Sequence, residues 1–234
     1  MPNWVRNIIA FDGPDSSIHK MLKRLRNKNS VIDFNKIKKM PDSLNIEHTH
    51  NLELCTVIYA CTAGGVPDTT FLGIPCGKSN KILKTLFMNC DPFLWKGSYN
   101  GSTLADRLDF FKSLADSVNY DAELGKKVFY NLIQYGCLSW YDWCLKNWGT
   151  KWTAEDTLLT DNVFTFLTAW SPPIPVIETL SRLYPDIRFY HTFADEFQGS
   201  CTGYLEYSKG FRCCEDFPED NSPEALELYS QVWD

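Results

Sequence analysis

Two histidines and a cysteine form the group of residues whose types and spacing come nearest to a metal site. His48 and His50 would point to the same side of a β-strand, and Cys55 follows closely. Imidazole and thiolate are donors that Zn²⁺ accepts. Because no Cys-x-x-Cys pair or third spaced histidine completes a ligand set, the pattern favours surface histidines, and we assign no metal-binding residue.

The segment 73–79, Gly-Ile-Pro-Cys-Gly-Lys-Ser, is close to a phosphate-binding loop in composition but not in spacing. A P-loop separates its glycines so that successive N–H groups surround the phosphates. Gly73 and Gly77 are one residue too close for that arrangement, and Leu72 stands where the first glycine belongs. The spacing argues against a nucleotide site, and we expect no cofactor.

Carboxylates and thiols near the C-terminus form no catalytic set. General acid–base catalysis needs carboxylates held in different environments, and nothing in the sequence places Asp195 or Glu196 in a pocket. Cys213 and Cys214 are adjacent, a spacing that rarely allows a relaxed disulfide. The nine cysteines show no paired framework. We therefore assign no catalytic residue and expect reduced thiols in a cytoplasmic protein.

Four of the eight tryptophans fall within residues 140–152. Large rings usually fill cores, so the cluster predicts a structural joint that fixes an inserted segment to the rest of the domain. The alternative is a binding surface, because tryptophan dominates interaction hot spots. The candidate partner-binding residues on this surface are Trp143, Trp148 and Trp152.

Charge is segregated along the chain, whose formal net charge is −6. Residues 1–39 hold nine basic and three acidic side chains, and the C-terminal segment is acidic. Such segregation favours steering towards a complementary macromolecule. The basic group could also bind nucleic-acid phosphates. The candidate contact residues are Lys20, Lys23, Arg24, Arg26, Glu215, Asp216, Glu219 and Asp220.

The spacing of hydrophobic residues predicts the helices and strands that position these side chains, and this spacing changes along the chain. A strand (4–11), an amphipathic helix (18–25) and a strand (31–37) come first. Helical spacing predicts helices at 104–118, 124–133 and 138–147, while 52–60 is typical of a strand, 64–67 of a turn, and 70–74 of a short strand or a loop. A strand (163–170), a helix after residue 174 and strands at 187–193 and 202–207 come last.

This order predicts an α+β fold: a split ferredoxin-like sandwich in which an antiparallel sheet has helices on one face and carries a mostly helical insertion. We predict a first β-α-β half at 1–41, the insertion at 42–155, a second β-α-β-β half at 156–212 and an acidic tail at 213–234. The longest apolar run is too short to cross a bilayer, so we expect no membrane association.

Several motifs resemble those of the YubB-like family, small ferredoxin-like proteins of bacterial plasmids, phages and other mobile elements. They are Met-Pro-Asn-Trp at 1–4, Phe-Asn-Lys-Ile at 34–37, Asn-Trp-Gly-Thr-Lys-Trp at 147–152 and Thr-Ala-Trp-Ser-Pro-Pro at 168–173. The resemblance implies a ferredoxin-like fold and a mobile-element setting. It implies no catalytic residues.

We therefore expect a non-enzymatic interaction protein of a bacterial mobile element. Its partner would be a host- or element-encoded protein complex, and inhibition of a host defence complex such as a CRISPR nuclease is one concrete version. Two alternatives stay open. One is a nucleic-acid-binding accessory protein that uses the basic N-terminal helix, and the other is a small enzyme that acts on a nucleotide or nucleic-acid substrate.

Overall fold

The computed structural model describes residues 2–49, 51–62, 104–117 and 120–234, and the chain divides into two compact units. One unit comprises Met1–Met40 and Cys144–Asp234, and the other comprises Pro41–Trp143. The helical unit therefore ends before residue 155, the limit expected for the insertion. The predicted turn at 64–67 and the segment at 70–74 lie outside the described residues.

The described elements follow one another in a fixed order, with a 3₁₀ turn at Asp42–Leu44 between α2 and α3. They are β1 (Trp4–Asp12), α1 (Asp15–Leu25), α2 (Phe34–Ile37), α3 (Asn51–Thr62), α4 (Leu104–Ser117), α5 (Ala122–Tyr135), α6 (Trp140–Asn147), β2 (Glu155–Thr160), β3 (Val163–Ala169), α7 (Ile174–Leu183), β4 (Arg188–Asp195), β5 (Gly203–Ser208), β6 (Phe211–Asp216) and α8 (Pro223–Trp233).

The predicted α+β class is confirmed by a six-stranded antiparallel sheet in the order β2-β3-β1-β4-β5-β6. Strands β1 to β4 with α1 and α7 have the β-α-β-β-α-β order of a ferredoxin-like domain. Its second strand is β2, so the strand predicted at 31–37 is wrong. There Asp33 caps a helix instead, because its Oδ1 accepts the Asn35 N–H at 2.9 Å.

The core lies on one face of the sheet. Buried and half-buried residues alternate along β1, and the same alternation continues in β3, β4 and β5. Helix α8 contacts β1, β4 and β5, and its Trp233 ring lies 5.6 Å from the Arg6 guanidinium. Because Arg6 alternates with the buried Val5 and Asn7, α8 adds a helix to the second face.

Both edge strands and the last helix were missing from the expected order of elements. All six residues of β6 are exposed and most of β2 is too, so neither has the apolar alternation that predicts a strand. The segment predicted as an acidic tail holds the end of β6 and all of α8. Helix α8 begins with Pro223 after the cap Ser222, whose Oγ accepts the Ala225 N–H at 3.1 Å.

The helical unit contains α3, α4 and α5. The strand predicted at 52–60 is wrong, since these residues belong to α3. Because α3 is buried on nearly all sides, its sequence shows neither the helical nor the strand spacing of apolar residues. Helices α3 and α5 approach closely at Gly125, where a Cβ would lie 2.5 Å from the Cys55 carbonyl oxygen. The other expected helices and strands are confirmed as α1, α4 to α7, β1, β3, β4 and β5.

No helix in the described part of the chain combines the length and the apolar character that a membrane span requires.

Candidate functional site: a tryptophan–lysine patch

Three segments of the first unit meet at the end of β3. The backbone N–H of Trp170 donates to the Asn3 carbonyl at 2.9 Å. The Thr150 hydroxyl donates to the Ala169 carbonyl, also at 2.9 Å. These bonds bring together the segments at 3–4, 149–152 and 169–171, which belong to three of the motifs quoted above.

Trp4, Lys151, Trp152 and Trp170 form what we call the Trp–Lys patch. The Lys151 Nζ lies 4.8 Å from the ring centroid of Trp152 and 4.5 Å from that of Trp170. Trp4 meets Trp152 edge to face, with 6.4 Å between the ring centroids. An ammonium group over an indole face gains about 0.5–1 kcal/mol at an exposed site. The patch is therefore an ordered set of rings around a cation.

Two features of the patch carry an energetic cost. Trp170 is 47% exposed and has φ 69°, a left-handed conformation that strains a bulky residue. The Trp152 Nε1 is buried, and no group in the described part of the chain accepts its hydrogen bond. An unpaired buried donor costs about 1–3 kcal/mol. Such costs persist more readily at a functional surface than in a structural core.

Gly149 shapes the turn that leads into the patch. Its φ is +85°, and a Cβ at this position would lie 2.4 Å from the Pro175 Cδ. Its carbonyl accepts the Ser171 hydroxyl at 2.6 Å. Because only glycine fits both the backbone angle and the space, this residue fixes the path from α6 to Lys151.

A chain of buried hydrogen bonds supports the loop after β3. Thr168 Oγ1 donates to the Ser171 carbonyl and accepts from Asn7 Nδ2, both at 2.9 Å. His191 Nε2 donates to Asn7 Oδ1 at 2.9 Å, and its Nδ1 lies 3.4 Å from the Tyr207 hydroxyl. Burial lowers the pKa of His191 to about 3 and raises the pKa of Tyr207. Because His191 is also 0% exposed, it positions strands and cannot reach a substrate.

The structure divides the predicted tryptophan cluster. Trp143 and Trp148 are 5% and 4% exposed, so both are core residues of their units. Trp148 Nε1 donates to the Lys38 carbonyl at 2.9 Å, and its ring lies 5.9 Å from that of Phe34. Of the three predicted tryptophans, Trp152 alone belongs to the Trp–Lys patch.

Three residues of the patch were not among the predicted site residues. Trp4, Lys151 and Trp170 each lie in one of the motifs that carry the family resemblance, so a signal was present in the sequence. Their proximity depends on how β1 pairs with β3, which places Trp4 opposite Ala169. No local pattern encodes that pairing.

The predicted basic residues on and beside α1, namely Lys20, Lys23, Arg24 and Arg26, are all exposed. Arg24 Nε donates to the Lys36 carbonyl at 3.1 Å, which joins α1 to α2. Burial first, and then the positive charges of Arg182 and Lys146, lower the pKa of Lys38. Together with the exposed Lys36 on α2, the four exposed side chains give α1 and α2 a basic surface.

The predicted acidic residues lie on and just after β6, and all are exposed. The Glu215 carboxylate is 2.9 Å from Arg212 Nη1. Asp220 Oδ1 accepts the Cys201 N–H at 3.1 Å. The remaining two, Asp216 and Glu219, lie nearby in the sequence.

Two of the three residues considered as metal ligands, His48 and Cys55, lie in the described residues. His48 Nδ1 lies 2.9 Å from the Ser139 hydroxyl, and its ring is 4.9 Å from that of Tyr141. Cys55 is buried, and this burial raises the pKa of its thiol. Among residues 2–49, 51–62, 104–117 and 120–234, no three His, Cys, Asp or Glu side chains cluster as a metal site requires. His50 and the segment 73–79 lie outside the described residues.

Comparison with known proteins finds a match for the C-terminal part of the chain. Residues 147–234 match the family model described as the ferredoxin-like domain in Api92-like protein. The crystal structure of protein api92 from Yersinia pseudotuberculosis aligns over 95% of this chain and 100% of its own, at 13% identity and a TM-score of 0.44. No curated protein matches the chain. The segment that holds Lys151, Trp152 and Trp170 is therefore similar to the ferredoxin-like domain of Api92-like proteins.

Proposed function

We propose that this protein is a non-enzymatic interaction protein that binds another protein through the Trp–Lys patch. The observation that carries the proposal is Trp170, which is 47% exposed while its backbone is held at φ 69°. Strained backbone persists only where surrounding contacts over-determine it, and the bonds to Asn3 and from Thr168 supply those contacts. A fold that holds a large ring in water at an energetic cost favours a role in binding.

The chemistry of the patch favours a partner surface with acidic groups. Lys151 Nζ lies 4.8 Å and 4.5 Å from two indole centroids, so the patch carries a positive charge that attracts carboxylates on a partner surface. A partner carbonyl would satisfy the Trp152 Nε1–H after a rotation of the ring. Truncation of a hot-spot tryptophan typically costs about 2 kcal/mol or more of binding free energy.

A bacterial mobile element is the setting that we propose, with a host- or element-encoded protein complex as the partner. This step rests on the resemblance of the motifs to the YubB-like family. Inhibition of a host defence complex such as a CRISPR nuclease is its most concrete version, and it is an argument by analogy.

Affinity purification of the tagged protein from bacterial lysate tests the proposal. We expect the wild type to retain one stoichiometric protein complex. Trp170→Ala should retain at least about tenfold less of this complex, because a loss of about 1.4 kcal/mol in binding free energy lowers affinity by a factor of ten. The matched control is Leu183→Ala, since Leu183 is a large apolar residue that is 40% exposed on α7. It should retain the complex.

Failure of the wild type to retain a stoichiometric partner would contradict the proposal, and so would equal retention by Trp170→Ala. A reporter strain with an active CRISPR nuclease tests the concrete version. Expression of the wild type should protect the targeted phage, whereas Trp170→Ala should not.

A second candidate function, nucleic-acid binding, is favoured by the exposed basic surface of α1 and α2. Each phosphate contact adds affinity that falls with salt. Fluorescence anisotropy with a labelled single-stranded oligonucleotide should show binding that weakens steeply between about 50 and about 200 mM salt. Lys20→Glu/Lys23→Glu should weaken it, whereas the control Lys126→Glu on α5 should not. Absence of binding, or affinity independent of salt, would exclude this function.

A further inference from the structure

Strand β6 is one edge of the described sheet. It stands last in the strand order, all six of its residues are exposed, and Phe211 is 73% exposed. Within the described sheet, only β5 pairs with it. An edge of this kind presents a row of N–H and C=O groups that can pair with a further strand.

Arg212 and Glu215 lie on the same face of β6. Their partners on β5 are Tyr207 and Leu205, and both of these are buried on the core face. A bulge between the two pairs explains how residues three apart share a face. Arg212 Nη1 lies 2.9 Å from Glu215 Oε2, and Arg212 Nε lies 2.9 Å from Glu178 Oε1. These two ion pairs hold the guanidinium at the edge of the sheet.

We propose that β6 pairs antiparallel with β6 of a second copy of this chain, about a two-fold axis between Cys213 and Cys214. The central residues Arg-Cys-Cys-Glu (212–215) are self-complementary in this register, and Phe211 lies opposite Asp216 of the second copy. Arg212 lies opposite Glu215 of the second copy, and Cys213 lies opposite Cys214 of the second copy. Each contact occurs twice, as a two-fold interface requires. The inference does not depend on the function proposed for the Trp–Lys patch.

Alternative pairings lack this complementarity. A parallel pairing in register would place Arg212 beside Arg212 and Glu215 beside Glu215, which is unfavourable between like charges. The other edge strand, β2, has the sequence Glu-Asp-Thr-Leu-Leu-Thr and carries no basic residue that could pair with Glu215. Six paired residues bury less than the roughly 1,200 Å² of a standard interface, so the dimer is weak and its population depends on concentration.

Sedimentation under reducing conditions tests the charge pairing. The wild type should form dimers as its concentration rises towards about 1 mM, whereas Arg212→Glu and Glu215→Arg should each stay monomeric. An equimolar mixture of these two variants should form a heterodimer, because one edge is then acidic and the other basic. Glu219→Arg, with the same charge change outside β6, should dimerise like the wild type.

Thiol trapping tests the register. Diamide, which takes up two electrons and two protons as two thiols form a disulfide, is added to Cys213→Ser, to Cys214→Ser and to their mixture. Only the mixture pairs Cys213 with Cys214 in this register, so it should yield about fivefold more cross-linked dimer than either variant alone. The Cys213→Ser/Cys214→Ser variant measures background from other thiols.

A wild type that stays monomeric at about 1 mM would overturn the proposed dimer. Equal cross-linking in the mixture and in the single variants would overturn the register. Circular dichroism of each variant checks that the sheet still forms.

Discussion

His191 in β4 donates its Nε2–H to Asn7 Oδ1 in β1 across 2.9 Å, and both residues are 0% exposed. The amide nitrogen of Asn7 donates to the Val5 carbonyl and to the Thr168 hydroxyl. The oxygen of Asn7 is therefore the acceptor, and the neutral imidazole carries its proton on Nε2. This bond links two central strands, so proton binding by His191 should act on the stability of the whole sheet.

Acid should destabilise the protein through His191. Its pKa is lowered to about 3 in the folded state by burial, against about 6.5 when unfolded. Between these values only the unfolded state binds the proton. The stability is fully present above about pH 6.5 and falls with pH by at most about 1.4 kcal/mol per unit. Urea unfolding at about pH 7 and about pH 5 should show a loss of roughly 2 kcal/mol from this group.

The control for this measurement is the exposed His19 on α1. His19→Gln should keep the loss of stability between the two pH values, whereas His191→Gln should reduce it. An unchanged loss in His191→Gln would show that other groups cause the acid sensitivity.

Removal of the Asn7 amide should destabilise the fold more than removal of a surface amide. Asn7→Ala leaves the His191 Nε2–H without its acceptor and Thr168 Oγ1 without one of its donors, and each unsatisfied group in the core costs about 1–3 kcal/mol. We expect a loss of about 3 kcal/mol in the free energy of unfolding, measured with urea at neutral pH. Asn29→Ala, in an exposed loop, should change it by less than about 0.5 kcal/mol. A loss for Asn7→Ala as small as that would contradict the structural role.

Exposed and buried thiols should differ in reactivity. Cys201, Cys213 and Cys214 are exposed, whereas Cys55, Cys61, Cys137 and Cys144 are buried. The thiolate is the reactive form and needs access to the reagent. Iodoacetamide should therefore modify the three exposed cysteines in native protein and the four buried cysteines only after denaturation. Peptide mass spectrometry measures the modification of each. Rapid native modification of Cys144 would contradict the packing described here.

Much of the sheet could be predicted because its central strands have one buried face. The alternation in β1 and β3 follows directly from that burial. The prediction is wrong or incomplete in segments that lack this contrast between a buried and an exposed face. Apolar and polar residues alternate over 31–37 as they do in a strand, yet the Asp33 side chain caps a helix that begins at the next residue. Strand β6 carries no buried residue at all, so only its pairing with β5 defines it.

The Trp–Lys patch could be predicted only in part. The tryptophan cluster at 140–152 includes Trp152, but its members Trp143 and Trp148 are buried in the cores of their own units. Trp170 joins the patch because β3 ends beside Asn3 and its backbone turns left-handed there. Neither property follows from residue type, since tryptophan has no preference for positive φ.

The strain at Trp170 can be measured by comparing two substitutions. Trp170→Gly and Trp170→Ala remove the same indole ring and the same contact with Lys151. Glycine adopts φ 69° freely, whereas alanine keeps a Cβ that opposes it. Trp170→Gly should therefore be more stable than Trp170→Ala by about 1 kcal/mol, measured by urea unfolding. As a control, Leu183→Gly on helix α7 should be less stable than Leu183→Ala, by roughly 0.5–1 kcal/mol. If Trp170→Gly were instead the less stable of its pair, the left-handed backbone would not be a source of strain, and exposure alone would have to support the binding role of this ring.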